Sequence, residues 1–133
     1  NKISSNLIKV AKDLSWDRKN FDYKITNTWA IINPPMACNQ SHIHSNNLIS
    51  AAYYVTAKEG CGDIVFYDPR PSKVYKHPFS KESNILNADK NDVKPETGML
   101  VLFPSYLEHS VNPNTSDHER IVISFNVSLK KIV

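Results

Sequence analysis

The residues best suited to chemistry in this chain are three histidines and one arginine. In Ser41-His42-Ile43-His44-Ser45 two imidazoles stand two positions apart. On an extended chain that spacing puts both on one face, where two rings can grip one metal ion. Taken alone, the pattern fits two surface histidines on a polar loop equally well. A second segment shifts the balance: Gly98 to Phe103 reads as a buried strand, Pro104-Ser105 breaks it, and His109 follows just beyond the break. The strand supplies rigidity and the break supplies aim, so a third ligand is expected there. Downstream, alternation along Arg120-Ile-Val-Ile-Ser-Phe-Asn126 places Arg120, Val122, Ser124 and Asn126 on one face. Ile121, Ile123, Phe125 and Val127 share the other. A lined polar face holding an arginine calls for an anion, because the guanidinium fork matches a carboxylate with two parallel hydrogen bonds. Ser124 is placed to add another. The competing account is a solvent-facing Arg120 paired with Asp117 or Glu119.

These groups need elements to hold them. Ile3, Leu7, Val10 and Leu14 fall on one face of an amphipathic helix, which reads as a packing helix. After Trp16 the chain turns to β-branched and aromatic runs: Tyr23 to Ile32, Leu48 to Ala57, Asp63 to Tyr67, Lys73 to Phe79, Met99 to Phe103, and Glu119 to Leu129. Turn-forming residues separate them, at Gly60 and Gly62, Asp68 to Pro71, Pro95 to Gly98, and Asn112 to Asp117. Closely spaced strands with little helix between them predict a mainly β, double-sheet architecture, a sandwich or a jelly roll. No repeat or linker divides the chain, so residues 1–133 read as a single domain. Its opening on Asn1 rather than Met leaves room for an upstream piece.

Composition narrows the partners. At 133 residues and 41% hydrophobic, the chain can bury a core with room for a lined cavity. No run approaches the roughly 18 apolar residues of a membrane helix, so no membrane association is expected. The net charge of +3 comes from scattered lysines rather than a basic stripe, so nucleic-acid binding is not indicated. Cys38 and Cys61 lack metal-site spacing and read as free thiols in a reducing compartment, which makes the cytoplasm the expected location.

Several motifs, in this order, carry a resemblance to a known family. They are the His-x-His element, Ser50-Ala-Ala-Tyr-Tyr-Val55, Gly62-Asp-Ile-Val-Phe-Tyr-Asp-Pro-Arg70, Gly98-Met-Leu-Val-Leu-Phe-Pro-Ser-Tyr-Leu-Glu-His109, and Arg120-Ile-Val-Ile-Ser-Phe-Asn126. From about Trp29 to Val127 the chain resembles a group of 2-oxoglutarate- and Fe(II)-dependent oxygenases. The resemblance implies a double-stranded β-helix, the cupin-like jelly roll, behind the amino-terminal helix. It also implies Fe(II) held by His42, His44 and His109, and 2-oxoglutarate held through its far carboxylate by Arg120 with Tyr54 and Ser124. The implied reaction consumes O2 and 2-oxoglutarate, releases succinate and carbon dioxide, and hydroxylates a primary substrate that the sequence does not name. His44 stands where most such oxygenases carry a carboxylate, and Asp63 is the nearest acidic residue that could take that part. Two alternatives remain open: a three-histidine, cupin-like metalloenzyme that does not use 2-oxoglutarate, and a non-catalytic jelly-roll binding module.

Lesser candidates are weighed against plainer roles. Asn39 and Gln40 could orient a ligand imidazole or simply make a turn. Arg70 reads as part of a salt-bridged turn before a substrate contact. Cys38 could join the histidines on zinc, but a thiolate would close a site that oxygen chemistry needs open. His77 and His118 read as solvent-facing.

Overall fold

In the computed structural model, which describes residues 2–70, 78, 80–84 and 86–132, the apolar spacing at the amino end winds into helix α1 (Lys2–Asp13). Ile3, Leu7 and Val10 face the core as expected, but Leu14 does not. The helix ends at Asp13, Ser15 adopts a left-handed φ of 53°, and the Trp16 amide closes back on the Ala11 carbonyl at 2.8 Å. That turn swings Leu14 into solvent and brings the Trp16 ring against the core in its stead.

The strands that follow are β1 (Phe21–Asn33), β2 (Asn39–His42), β3 (Ile49–Thr56), β4 (Ile64–Tyr67), β5 (Lys90–Val93), β6 (Leu100–Pro104), β7 (His109–Val111) and β8 (Arg120–Lys131). They form two antiparallel four-stranded sheets, ordered β1-β8-β3-β6 and β2-β7-β4-β5. This is the mainly β, double-sheet architecture that the strand spacing predicts, in the jelly-roll form that the family resemblance implies. Five of the expected strands are present with ends shifted by a residue or two. The run Lys73 to Phe79 lies, Pro78 apart, outside the described residues. Sequence periodicity misses β2, β5 and β7, which are short and largely polar.

Register decides which residues look inward. Ser50 pairs with Asn126, Ala52 with Ser124, and Tyr54 with Val122 across β3 and β8, so the polar face of β8 is turned to the interior rather than to water. Its apolar face is buried only toward its middle: Phe125 and Val127 join Ile49, Ala51 and Leu7 in a cluster beneath α1, while Ile123 stays exposed. At Ser124 to Val127, where both faces are buried, β8 is held from two sides. No helix among the described residues is long and apolar enough to cross a membrane.

Candidate metal and anion site

Three imidazoles come together at the edge of the short-stranded sheet. His42 ends β2 and His109 begins β7, and the two are direct cross-strand partners. His44 lies beyond the end of β2, where its backbone amide donates to the Ser105 carbonyl at 2.9 Å. Ring centroids are 4.3 Å apart for His42 and His109, 5.2 Å for His42 and His44, and 5.1 Å for His44 and His109. One nitrogen from each ring lies within 4.8 Å of the other two, which is metal-binding spacing.

Hydrogen bonds settle which nitrogen each of two rings presents. Nδ1 of His42 is 2.8 Å from the Gln40 carbonyl, and Nδ1 of His109 is 2.9 Å from the Leu107 carbonyl. A carbonyl oxygen only accepts, so both Nδ1 atoms carry the proton and both Nε2 lone pairs are free. Nδ1 of His44 is 2.8 Å from Oδ1 of Asn126. Phe103 packs its ring edge against His109 at 4.6 Å, and Trp29 lies against His44 at 5.6 Å. Burial pushes His109 down to about 4, and the neighbouring His42 and His44 push the same way, so at neutral pH it is an uncharged donor. No carboxylate joins the group among the described residues, Asp63 included, and Cys38 is outside it as an exposed free thiol.

Arg120 lies deeper in the same cavity, 1% exposed. Its Nη1 donates to the carbonyls of Cys61 and Gly62 at 3.2 and 3.3 Å, and its Nη2 to Oδ1 of Asn39 at 3.3 Å. Its Nε has no partner. Gly62 has to be glycine here: at φ 91° a side chain would be strained, and a Cβ would collide with the Asn112 carbonyl. Neither Asp117 nor Glu119 pairs with the guanidinium; Asp117 instead lies 3.2 Å from the exposed His118. Tyr54 and Ser124, both buried, line the cavity with it. Burial pushes the Tyr54 phenol up to about 12 against the pull of the Arg120 cation, so it stays protonated and can donate.

The cavity thus runs from three imidazoles to an arginine and draws its lining from both sheets. Two residues expected to orient an imidazole act differently. Asn39 braces Arg120, and Gln40 uses its backbone carbonyl rather than its side chain. Asn126 was legible only as a member of the polar face. Arg70 forms the expected salt-bridged turn, with Asp68 at 2.6 Å. His77 lies outside the described residues.

A family described as "Putative 2OG-Fe(II) oxygenase" matches residues 27–126. No curated protein matches the chain by sequence. Among solved structures, an oxidoreductase of the 2OG-Fe(II) oxygenase family from Burkholderia pseudomallei aligns with a TM-score of 0.61 at 13% identity, over 90% of this chain and 57% of its own. A Pseudomonas putida prolyl-4-hydroxylase aligns at 0.60 and 17% identity, over 93% and 61%. The epimerase SnoN, in complex with Fe3+, alpha ketoglutarate and nogalamycin RO, aligns at 0.59 and 11% identity, over 84% and 53%. The chain spans less than two thirds of the length of each, and at such identities the likeness is one of fold.

Proposed function

The chain belongs to the 2OG-Fe(II) oxygenase family, whose cofactor is iron and whose co-substrate is 2-oxoglutarate, and from that premise we propose that it hydroxylates a primary substrate. In this reading His42, His44 and His109 hold Fe(II) through Nε2, and Arg120, Tyr54 and Ser124 hold the far carboxylate of 2-oxoglutarate. Bound there, the metal and co-substrate supply the activation of O2, with release of succinate and carbon dioxide.

The observation that carries the reading is the state of Arg120. It is a buried cation with no carboxylate partner among the described residues and with one nitrogen unsatisfied. A buried charge without a partner is costly, so the site is completed by an anion. Nη1 is engaged by two carbonyls and Nη2 by Asn39, so the edge with a donor to spare is the one that Nε forms with Nη2. That edge accepts a carboxylate with two parallel bonds. Tyr54 donates to the same anion. The opposite, keto-acid end would then face the imidazoles, and a metal held by three protein ligands would stay open to it.

The donor set fits iron, for which imidazole is a suitable ligand. An imidazole at His44 in place of a carboxylate leaves one more unit of positive charge on the centre, which favours a dianion. The three-histidine alternative without 2-oxoglutarate gives the vacant edge of Arg120 no purpose.

The test is anaerobic titration of the Fe(II) protein with 2-oxoglutarate, followed by the visible metal-to-ligand charge-transfer band. The unaltered protein is expected to develop the band. Arg120→Ala is expected to keep its metal and to lose about 2–5 kcal/mol of 2-oxoglutarate binding, roughly thirtyfold or more. Absence of the band in the unaltered, iron-loaded protein would sink the reading.

A further inference from the structure

We propose that Asn126 is a positioning residue for His44, acting in a closed ring of hydrogen bonds that fixes the tautomer and plane of this imidazole. The inference rests on His44 being a metal ligand, as proposed above. The ring has four links. Nδ1 of His44 is 2.8 Å from Oδ1 of Asn126, and the Ser50 hydroxyl donates to the same Oδ1 at 2.8 Å. Ser50 and Ser105 hydroxyls are 2.8 Å apart, and the Ser105 carbonyl accepts the His44 amide at 2.9 Å. Ser50 and Ser105 are fully buried and Asn126 is 7% exposed.

His44 needs this device because it lacks what its two companions have. His42 and His109 each meet a backbone carbonyl two residues earlier in their own segment, so local chain geometry sets their tautomers. The acceptor for His44 comes instead from β8, 82 residues away in sequence. An amide oxygen accepts two hydrogen bonds. Ser50 fills one and His44 Nδ1–H fills the other, while the Ser105 hydroxyl donates to the Ser50 oxygen. Each hydrogen in the ring has one acceptor, and the direction runs from Ser105 to Ser50 to Asn126, with His44 donating from the other side. Nε2 of His44 is then bare, in a group of three rings that each offer one nitrogen within 4.8 Å of the others.

Turning the imidazole would break its bond to Asn126 and leave Oδ1 with the Ser50 hydroxyl as its one donor. The ring therefore holds His44 by backbone and side chain together. Ser105 also lies just before the segment that delivers His109, so the same bonds tie two ligand-bearing segments to each other and to β8. The amide keeps the arrangement neutral, which a carboxylate in its place would not.

Two measurements test this. Long-range proton–nitrogen NMR on metal-free, histidine-labelled protein is expected to show His44 protonated on Nδ1 and bare on Nε2. The opposite tautomer, in which the amide presents its nitrogen, overturns the inference. This measurement uses the unaltered protein, so it decides the matter even if a variant fails to fold. Cobalt(II) titration is expected to show Asn126→Leu weakened by about 10–100-fold. The metal-free fold should be retained by circular dichroism, and Asn126→Asp, which keeps an oxygen acceptor, should recover most of the affinity. Unchanged affinity in Asn126→Leu alongside weakened binding in His44→Ala breaks the inference and leaves the ligand set standing. Unchanged affinity in His44→Ala removes His44 as a ligand, and the inference with it.

Discussion

The two sheets wall one cavity with strands of opposite kinds. In the sheet β1-β8-β3-β6 the strands run to 13, 12, 8 and 5 residues, and α1 covers its outer face at Phe125 and Val127. This sheet carries Arg120, Tyr54 and Ser124. In the sheet β2-β7-β4-β5 the strands have four, three, four and four residues, with exposed polar side chains along β2 and β5. This one carries His42 and His109. The proposed anion end is thus built on the sheet that carries both buried apolar clusters. The candidate metal end depends on cross-strand pairing and on ties to its neighbour, among them Asn126 to His44 and Arg120 to Cys61 and Gly62. Burial makes one half rigid, and hydrogen bonds make the other half accurate.

The contrast can be broken most severely at the metal end. His109→Ala is expected to reduce iron retained after dialysis to background, read by metal analysis, while the far-ultraviolet circular dichroism stays that of a β protein. Stoichiometric iron in that variant would move the metal end off the short sheet. On the long sheet the corresponding loss is stability: Phe125→Ala removes a ring that is 2% exposed and is expected to cost about 3–5 kcal/mol in chemical denaturation. A much smaller cost would mean that α1 does not anchor this sheet.

The smallest effect concerns pH. Burial holds His109 at about 4, below its ordinary value of 6.5, so between those values the folded protein binds fewer protons than the unfolded chain. Stability of the metal-free protein is therefore complete above about pH 6.5 and falls as pH drops toward 4. His109→Gln should flatten that part of the stability profile measured by thermal denaturation. An unchanged slope would show that His109 is not a buried neutral imidazole.

How much of this was legible in sequence follows the same division. β8 could be read residue by residue because a long strand repeats its period many times, so the face shared by Arg120, Ser124 and Asn126 was evident. β2, β5 and β7 could not, because three or four mostly polar residues carry neither an apolar alternation nor a composition that distinguishes strand from loop. The histidines were legible as types with suitable spacing. That His42 pairs with His109 across two such strands was not.

The sequence by itself determined the chemistry on offer: which side chains can bind a metal, which can bind a carboxylate, and which residues share a strand face. Those follow from residue type and from the two-residue period of an extended chain. Only the tertiary structure decided how they are used. It turned the polar face of β8 inward, left Arg120 buried with one nitrogen unsatisfied, gave Asn39 to the arginine and Asn126 to His44, and withdrew Leu14 from the core. These outcomes depend on which distant groups the fold makes neighbours, because a buried polar atom must find its partner wherever packing leaves one, and local sequence does not record that distance.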